Sequence, residues 1–223
     1  MKWVGAIVAL LLVFIAYLYL QGGINTQRFR LTIDIETPEG IKSGSSVIET
    51  STWESGGWGP TEAQGIRRSF RGRAVFVDLG GGKNLVALLA FGSNGRDQTK
   101  LFELARAALA PGRTADWQEE YRLKGAGVLP PDYTPTLITF ADLANPKTAS
   151  VVYRSELGKV FGPGFRFLQA RLETTTEPVS HSIEKILPWW NLPGRPAEQA
   201  YRAWLQGSTD GPSLEPELLF RKD

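Results

Sequence analysis

Arg28–Glu36, with the sequence RFRLTIDIE, decides the fold of the region that follows an apolar N-terminus. Its residues alternate without exception between apolar and polar side chains. Because successive side chains of a strand point to opposite faces, this pattern predicts a half-buried strand at the centre of a sheet. The apolar face holds Phe29, Leu31, Ile33 and Ile35, and the polar face holds Arg28, Arg30, Thr32, Asp34 and Glu36.

Two hairpins extend this strand along the chain. Pro38-Glu39-Gly40 predicts a turn, after which the β-branched run Ser46–Trp53 pairs with the first strand. A second hairpin is predicted from Gly72–Leu79 and Asn84–Phe91. These segments are joined by Gly80-Gly81-Gly82-Lys83, whose glycines supply the positive φ angles that a tight connection requires.

The rest of the chain predicts short elements, since 24 Gly and 14 Pro are spread along it. Helices are expected at Gln98–Leu109, with Asp97 as N-cap, and at Thr114–Lys124. The further expected elements are strands Leu137–Phe140 and Ala149–Tyr153, helical turns at Ser155–Phe161, a long strand Phe165–Thr175 bulged near Phe167, an amphipathic turn Ile183–Leu187 and a helix beginning at Pro196. Strands outnumber helices and few strand–helix–strand units recur. We therefore predict an α+β fold with a mainly antiparallel sheet.

Before the first strand, Trp3–Leu20 reads WVGAIVALLLVFIAYLYL, without a charge or a proline. As a helix it would be roughly 27 Å long, close to the hydrocarbon thickness of a bilayer. The bulky residues Tyr17 to Leu20 stand where a signal-peptide cleavage site needs small ones, which predicts an uncleaved anchor. The expected organisation is a transmembrane anchor and swivel over residues 1–23, one soluble α+β domain over 24–207 and a flexible tail over 208–223.

The orientation of this anchor follows from a close balance of charges. Lys2 and the α-amino group precede the helix, and Arg28 and Arg30 follow it. The leading tail is only two residues long, and the two arginines belong to a predicted strand. We therefore expect a single-pass protein of a bacterial inner membrane, with its domain in the periplasm.

Composition excludes several classes of protein. The chain has 25 Lys and Arg against 23 Asp and Glu, so it lacks the large excess of positive charge that is typical of a nucleic-acid-binding protein. It has no cysteine, so disulfides, thiolate nucleophiles and cysteine metal sites are excluded. Its one histidine, His181, lies in a predicted loop. We assign no catalytic, cofactor-binding or metal-binding residue and expect no cofactor.

A catalytic alternative remains open, namely a membrane-tethered hydrolase that uses carboxylates or a Ser-Lys pair. Lys42–Ser46 resembles the serine region of bacterial signal peptidases, without the Met-Pro that follows their serine. Val75–Gly82 resembles the phosphate-binding hairpin of the actin and sugar-kinase ATPases, but that superfamily needs two such domains, and a tight glycine turn is the favoured account. The residues to test are Ser45, Lys83, Asp34, Asp78 and Asp142.

A second alternative is lipid binding or transfer. Glu39–Val47 resembles the opening of the mammalian-cell-entry domains, which are single-anchored periplasmic β-domains that carry lipid. The densest basic cluster is Arg67, Arg68, Arg71 and Arg73. On a strand, Arg67, Arg71 and Arg73 are predicted to share one face, which could meet anionic headgroups, although an ordinary solvated strand face is the favoured account. Trp189 and Trp190 are candidates for contact with the membrane interface or with a partner, and core packing is an equal alternative.

Four segments together resemble one family: Leu31–Glu49, Leu137–Lys147, Phe161–Gly164 and Glu177–Trp189. They occur in this order in a family of uncharacterised proteobacterial proteins that begin with a single apolar helix. The resemblance implies a bacterial inner-membrane protein and carries over no catalytic residue. Because the residues offer one anchor, one compact domain and no catalytic set, we expect a non-enzymatic binding or protein-interaction module that contacts the bilayer through Trp3–Leu20 and has a protein partner.

Overall fold

The computed structural model describes residues 23–55, 65–92, 97–114 and 116–189. This part of the chain is built from antiparallel sheets and a few short helices, which confirms the α+β, mainly antiparallel prediction. The expected helix Trp3–Leu20, the helix from Pro196, Trp190 and the tail 208–223 lie outside the described residues. Within the described ranges, no helix is long and apolar enough to cross a membrane.

The strands form two sheets. In chain order they are β1 (Asn25–Thr37), β2 (Gly40–Ser55), β3 (Gly65–Arg71), β4 (Val75–Gly80), β5 (Lys83–Ala87), β6 (Ala126–Val128), β7 (Leu137–Phe140), β8 (Ala149–Val152) and β9 (Arg166–Thr174). The first sheet has the order β3-β2-β1-β9-β6 and the second the order β4-β5-β7-β8. The strand that contains Arg28–Glu36 thus lies at the centre of the larger sheet, as its pattern predicts.

The helices are short. They are α1 (Thr99–Leu109), α2 (Trp117–Glu120) and α3 (Leu157–Phe161), with 3-10 turns at Pro131–Tyr133, Pro146–Thr148 and Ser182–Lys185. The N-cap of α1 is Gln98, which makes no capping bond through its side chain, so the expectation of Asp97 as N-cap is wrong by one residue. Asp97 lies just before it, and its Oδ1 accepts the backbone N–H of Thr99 at 2.9 Å. The predicted helix Thr114–Lys124 is reduced to α2, after which the Tyr121 hydroxyl bonds the Thr52 hydroxyl.

Both sheets share one core. The apolar face of β1 is completely buried together with residues of β4, β5 and α1. The two sheets come into close contact at Gly44 of β2, where a Cβ would stand 2.0 Å from the Phe76 carbonyl oxygen of β4. α1 packs against β6 and β9 of the first sheet and crosses Gly127 of β6, where a Cβ would stand 2.2 Å from the Ala108 carbonyl oxygen. Glycine is therefore required at both crossings for a steric reason.

In the second sheet, the central strands β5 (after Lys83) and β7 are buried on both faces. The other face of this sheet packs against the C-terminal segment in a second cluster, whose buried members are Ala74, Val86, Leu88, Ala90, Ile138, Phe140, Ile183, Leu187 and Trp189. A strand without a solvent face has no polar face, which explains the continuous apolar sequence LVALLAF from Leu85 to Phe91. Of that run only the part up to Ala87 is strand, so the predicted hairpin is shorter than expected.

The bulge predicted in the last strand is confirmed. In the pairing of β1 with β9, Asp34 lies opposite Gln169 and Ile35 opposite Phe167, which leaves Leu168 as the extra residue. Leu168 is 43% exposed, whereas Ala170 and Leu172 beyond the bulge are buried. The extra residue therefore returns the apolar side chains of β9 to the inward face.

Beyond β9, the segment Thr175–Ser180 crosses the outward face of the first sheet. The N–H of Thr175 bonds the carbonyl of Arg28 on β1 at 3.0 Å, and the N–H of Ser180 bonds the carbonyl of Val47 on β2 at 3.1 Å. Between them Glu177 forms an ion pair with Arg30. This crossing carries the chain to the far side of the second sheet.

Candidate functional site

Three arginines of the candidate cluster lie on β3, the outermost strand of the first sheet. Arg67, Arg68 and Arg71 are exposed. Alternation along β3 places Arg68 on the inward side with buried Phe70, and there its guanidinium carbon lies 5.6 Å from the centroid of the Phe102 ring. Arg67 and Arg71 project from the outward face, as predicted.

Arg73 does not share that face, and this part of the prediction is wrong. β3 ends at Arg71, and Arg73 is only 3% exposed. Its Nε donates to Glu184 Oε1 at 2.7 Å and its Nη1 donates to the Gly72 carbonyl at 3.0 Å. Arg73 therefore ties the C-terminal segment to the body of the protein, and a headgroup would have to displace Glu184 to reach it.

Trp189 has the packing role that was the alternative to an interface contact. It is 5% exposed, and its ring centroid lies 6.1 Å from that of Phe140. Its Nε1 donates to the Leu143 carbonyl at 2.8 Å. Trp189 thus closes the second cluster over the second sheet and offers little surface to a membrane or a partner.

The start of β1 and the start of β3 lie at the same end of the first sheet. Asn25 pairs with Thr52 of β2, and Thr52 pairs with Arg68 of β3. Two strand spacings put the backbones of Asn25 and Arg68 about 10 Å apart. We call this end, which leads back along the chain to the predicted anchor Trp3–Leu20, the anchor-proximal end and define it by Asn25, Trp53, Ile66, Arg67 and Arg68.

A second pair of cations reaches the same end from a distant part of the chain. Gln27 Nε2 donates to the Leu123 carbonyl at 2.8 Å, which fixes the loop after α2 beside the start of β1. Arg122 and Lys124 flank Leu123, and both are exposed. On β2, the exposed residue Glu54 lies opposite Ile66, the neighbour of Arg67. The four cations therefore share this end with at least one carboxylate.

Asp34, a candidate for carboxylate chemistry, is fully engaged on the outward face. It is 4% exposed and accepts hydrogen bonds from Ser43 Oγ at 2.7 Å, Gln169 Nε2 at 2.9 Å and Arg171 Nε at 2.8 Å. Burial by itself would raise its pKa, but these donors outweigh burial and hold the pKa below its usual value. The Asp34 carboxylate is thus a stable anion that holds β2 and β9 to β1.

The residues of the Ser-Lys alternative lie in different sheets. Ser45 pairs with Thr32 and projects from the outward face of the first sheet. Lys83 begins β5 in the second sheet, where its Nζ lies 5.4 Å from the centroid of the Phe165 ring. Asp78 and Asp142 each accept a local backbone N–H, from Gly80 and from Ala144, both at 2.9 Å. This arrangement separates Lys83 from Ser45, so these two residues do not form the Ser-Lys pair.

His181 lies beside the partly buried ion pair of Arg73 and Glu184. Its Nδ1 is 3.3 Å from Glu184 Oε1, the oxygen that also accepts from Arg73. Burial raises the pKa of Glu184, but the hydrogen bonds and charges of Arg73 and His181 lower it by more. The pKa of Glu184 therefore lies below its usual value. The arrangement anchors the 3-10 turn Ser182–Lys185.

One further polar cluster lies on the outer side of α1. Arg106 Nε donates to Glu120 Oε1 at 2.7 Å, and its Nη2 lies 3.1 Å from Glu103 Oε2. Tyr133 Oη donates to the same Glu103 oxygen at 2.8 Å. Burial raises the pKa of Glu120 even though Arg106 opposes it, while the bond to Glu103 raises the pKa of Tyr133. These contacts hold α2 and the Pro131–Tyr133 turn to α1.

Within the described ranges, no three His, Asp or Glu side chains are grouped so that they would hold a metal ion. No protein-family model, curated protein or solved structure matches the chain. Sequence reasoning did not place Arg122 and Lys124 at the anchor-proximal end, because the contact between Gln27 and Leu123 joins residues 96 positions apart. It also missed the Arg171 partner of Asp34, which has no local sequence signal.

Proposed function

We propose that this chain is a membrane-anchored binding or protein-interaction module in the periplasm of a bacterium, and that it works without catalysing a reaction. In this proposal Trp3–Leu20 spans the inner membrane once. The domain that follows presents its surface to a protein partner close to the bilayer. Confinement at the membrane is then the activity itself.

The observation that supports this proposal is the position of β1. It begins at Asn25, so only residues 21–24 separate the central strand of the first sheet from Leu20. Five peptide steps span at most about 18 Å. A domain on so short a connection stays within one domain diameter of the bilayer. Such a connection raises the effective concentration of the domain towards partners in the same membrane.

The polar groups of the domain give a second line of support. Asp34, Glu184 and Glu120 are each bonded to an arginine that ties separate elements together. Ser45 and Lys83 lie in different sheets. Buried carboxylates that are saturated by structural donors act as cross-links between elements. This use of the charged residues favours a binding module over a hydrolase.

The test compares the intact chain with a released domain in living cells. A photo-crosslinking residue is placed at Tyr153, which is 52% exposed, or at Ile41, which is 65% exposed. In one version Trp3–Leu20 is replaced by a cleavable signal peptide, and in a matched control by an unrelated single-pass helix of the same orientation. We expect one reproducible crosslinked protein with both anchored versions, and a yield on the order of 10- to 100-fold lower with the released domain.

Two results would contradict the proposal. Equal yields from the anchored and the released domain would mean that the tether contributes nothing. Failure of every exposed position to crosslink would mean that the domain has no protein partner. Orientation is tested separately with a C-terminal alkaline phosphatase fusion, which we expect to be active because the domain lies outside the cytoplasm.

A further inference from the structure

We propose that the anchor-proximal end is a docking surface for anionic headgroups of the membrane leaflet from which the chain emerges. Docking would hold the domain against the bilayer in one orientation. The inference rests on the proposed function, because it takes Trp3–Leu20 as the membrane-spanning segment. It adds which end of the domain meets the lipid and which side chains make the contact.

The geometry of β1 selects this end. Asn25 lies at most about 18 Å from the end of the apolar helix. The opposite end of β1, at the turn between Thr37 and Gly40, is 13 residues along the strand, or roughly 40 Å away. The tether therefore brings the anchor-proximal end to the membrane before any other end of the sheet.

The side chains at this end suit a charged lipid surface. Arg67 and Arg68 are exposed guanidinium groups, which bind phosphate oxygens through paired N–H donors. Ile66 precedes Arg67 on β3 and lies nearer the end of the sheet. It is 50% exposed and offers an apolar contact. Trp53 pairs with Arg67 and is half-buried, which suits an amphipathic ring at a membrane interface. Arg122 and Lys124 widen the cationic surface.

The strength of such docking depends on lipid charge and on the tether. Each cationic side chain near an anionic surface contributes a similar amount to the free energy of docking. Removing the charge of two such side chains therefore lowers the ratio of docked to undocked domain by about 30-fold. The attraction acts only within about 8 Å at physiological salt. Because the tether keeps the surface within reach, these modest contacts are sufficient to orient the domain. Glu54 opposes them in part.

The absence of cysteine allows a direct measurement on the full chain. Ile66→Cys and Ile41→Cys are matched sites, since both isoleucines are exposed and lie at opposite ends of the first sheet. Each variant is labelled with a fluorophore and reconstituted into vesicles that carry a quencher on lipid headgroups. The vesicles are phosphatidylcholine alone or phosphatidylcholine with an equal part of phosphatidylglycerol. We expect stronger quenching at position 66 than at position 41, and an increase at position 66 with the anionic lipid.

Charge variants then test the arginines. In the Ile66→Cys chain, Arg67→Gln with Arg68→Gln is expected to return quenching to the level seen in phosphatidylcholine alone. Glutamine keeps much of the aliphatic stem, so packing on Phe102 is largely retained. The matched control is Lys42→Gln with Lys159→Gln, which removes the same charge on the side of the β1–β2 turn and is expected to leave quenching unchanged.

The possible failures are distinguishable. If alkaline carbonate releases the full chain from the vesicles, both the anchor and the docking surface are overturned. If the chain stays in the membrane but positions 66 and 41 are quenched equally, the docking inference fails and the tethered module stands. If quenching at position 66 changes neither with lipid charge nor with the arginine substitutions, the proposed electrostatic contact is overturned.

Discussion

The two faces of the first sheet are stabilised by different interactions. On the inward face of β1, Leu31, Ile33 and Ile35 are completely buried, and the neighbouring strand carries glycine where the second sheet crosses it. On the outward face of the same strand, Asp34 is 4% exposed, nearly as buried as its apolar neighbours. The stability of the inward face depends on close packing of apolar side chains. The stability of the outward face depends on the pairing of hydrogen-bond donors with acceptors.

The difference teaches that an alternating strand need not have one dry and one wet face. Thr175–Ser180 crosses the outward face, and the Asp34 carboxylate there is enclosed by Ser43, Gln169 and Arg171. A buried anion is tolerated only when donors replace water. The inward face should therefore fail when volume is added, and the outward face when a donor or acceptor is lost.

The largest expected effect is at Gly44 on the inward face. A Cβ there would stand 2.0 Å from the Phe76 carbonyl oxygen and 2.8 Å from its carbon, so both backbones must move apart. We expect Gly44→Ala to lower the free energy of unfolding by about 3 kcal/mol or more, measured by urea unfolding of the full chain in detergent.

Gly158→Ala is the matched control for this substitution. Gly158 lies in α3, and an added Cβ would be 3.5 Å from the Phe165 carbonyl oxygen, an ordinary contact. Alanine favours a helix over glycine, so stability should stay level or rise by roughly 0.5 kcal/mol. A loss below about 1 kcal/mol for Gly44→Ala would contradict the close crossing of the two sheets.

The next effect is at Asp34 on the outward face. Asp34→Asn removes the charge that Arg171 and Ser43 stabilise, and we expect a loss of about 2 kcal/mol at neutral pH, since Arg171 is half exposed and its ion pair is weakened by water. The pKa of Asp34 is lower in the folded protein, so its contribution is present above the unfolded value near 3.9 and is lost as pH falls through the folded pKa. The two chains should therefore converge in stability below about pH 4.

Asp78→Asn is the control for the pH experiment. Asp78 is exposed and accepts one backbone N–H, from Gly80. We expect its replacement to change the free energy of unfolding by less than about 0.5 kcal/mol at every pH. A difference between Asp34→Asn and the native chain that persists unchanged into acid would mean that the loss is not electrostatic.

Local patterns predicted the strands that carry a periodic signal. β1 alternates without a fault, the bulge in β9 follows from the slip between Phe167 and Leu168, and the three glycines after Leu79 all have positive φ in the turn. Each of these features depends on residues that are neighbours in sequence. The antiparallel, β-rich fold was therefore within reach of sequence reasoning.

Features that depend on distant contacts were not within reach. β6 has three residues and exists because it pairs with β9. Arg73 continues the basic run of β3 in sequence, yet its burial depends on Glu184, 111 residues later. α2 ends at Glu120, and the hydroxyl of Tyr121 that follows it bonds the hydroxyl of Thr52 on β2, a contact between residues 69 positions apart. In each case a tertiary contact overrides a local preference.

The smallest expected effect returns to the inward face, at Ser46. Ser46 lies opposite Leu31 in the core and is 1% exposed, and its Oγ has no hydrogen-bond partner among the described residues. A buried hydroxyl without a partner costs free energy, and alanine removes it while leaving a cavity smaller than a methyl group. We expect Ser46→Ala to raise the free energy of unfolding by up to about 1 kcal/mol, measured by urea unfolding.

The control is Ser43→Ala on the outward face, where the hydroxyl donates to Asp34 at 2.7 Å, so the same chemical change should destabilise the protein. Opposite signs for two serines three residues apart on β2 would separate the two faces directly, whereas a loss at both positions would show that the inward face also depends on hydrogen bonds.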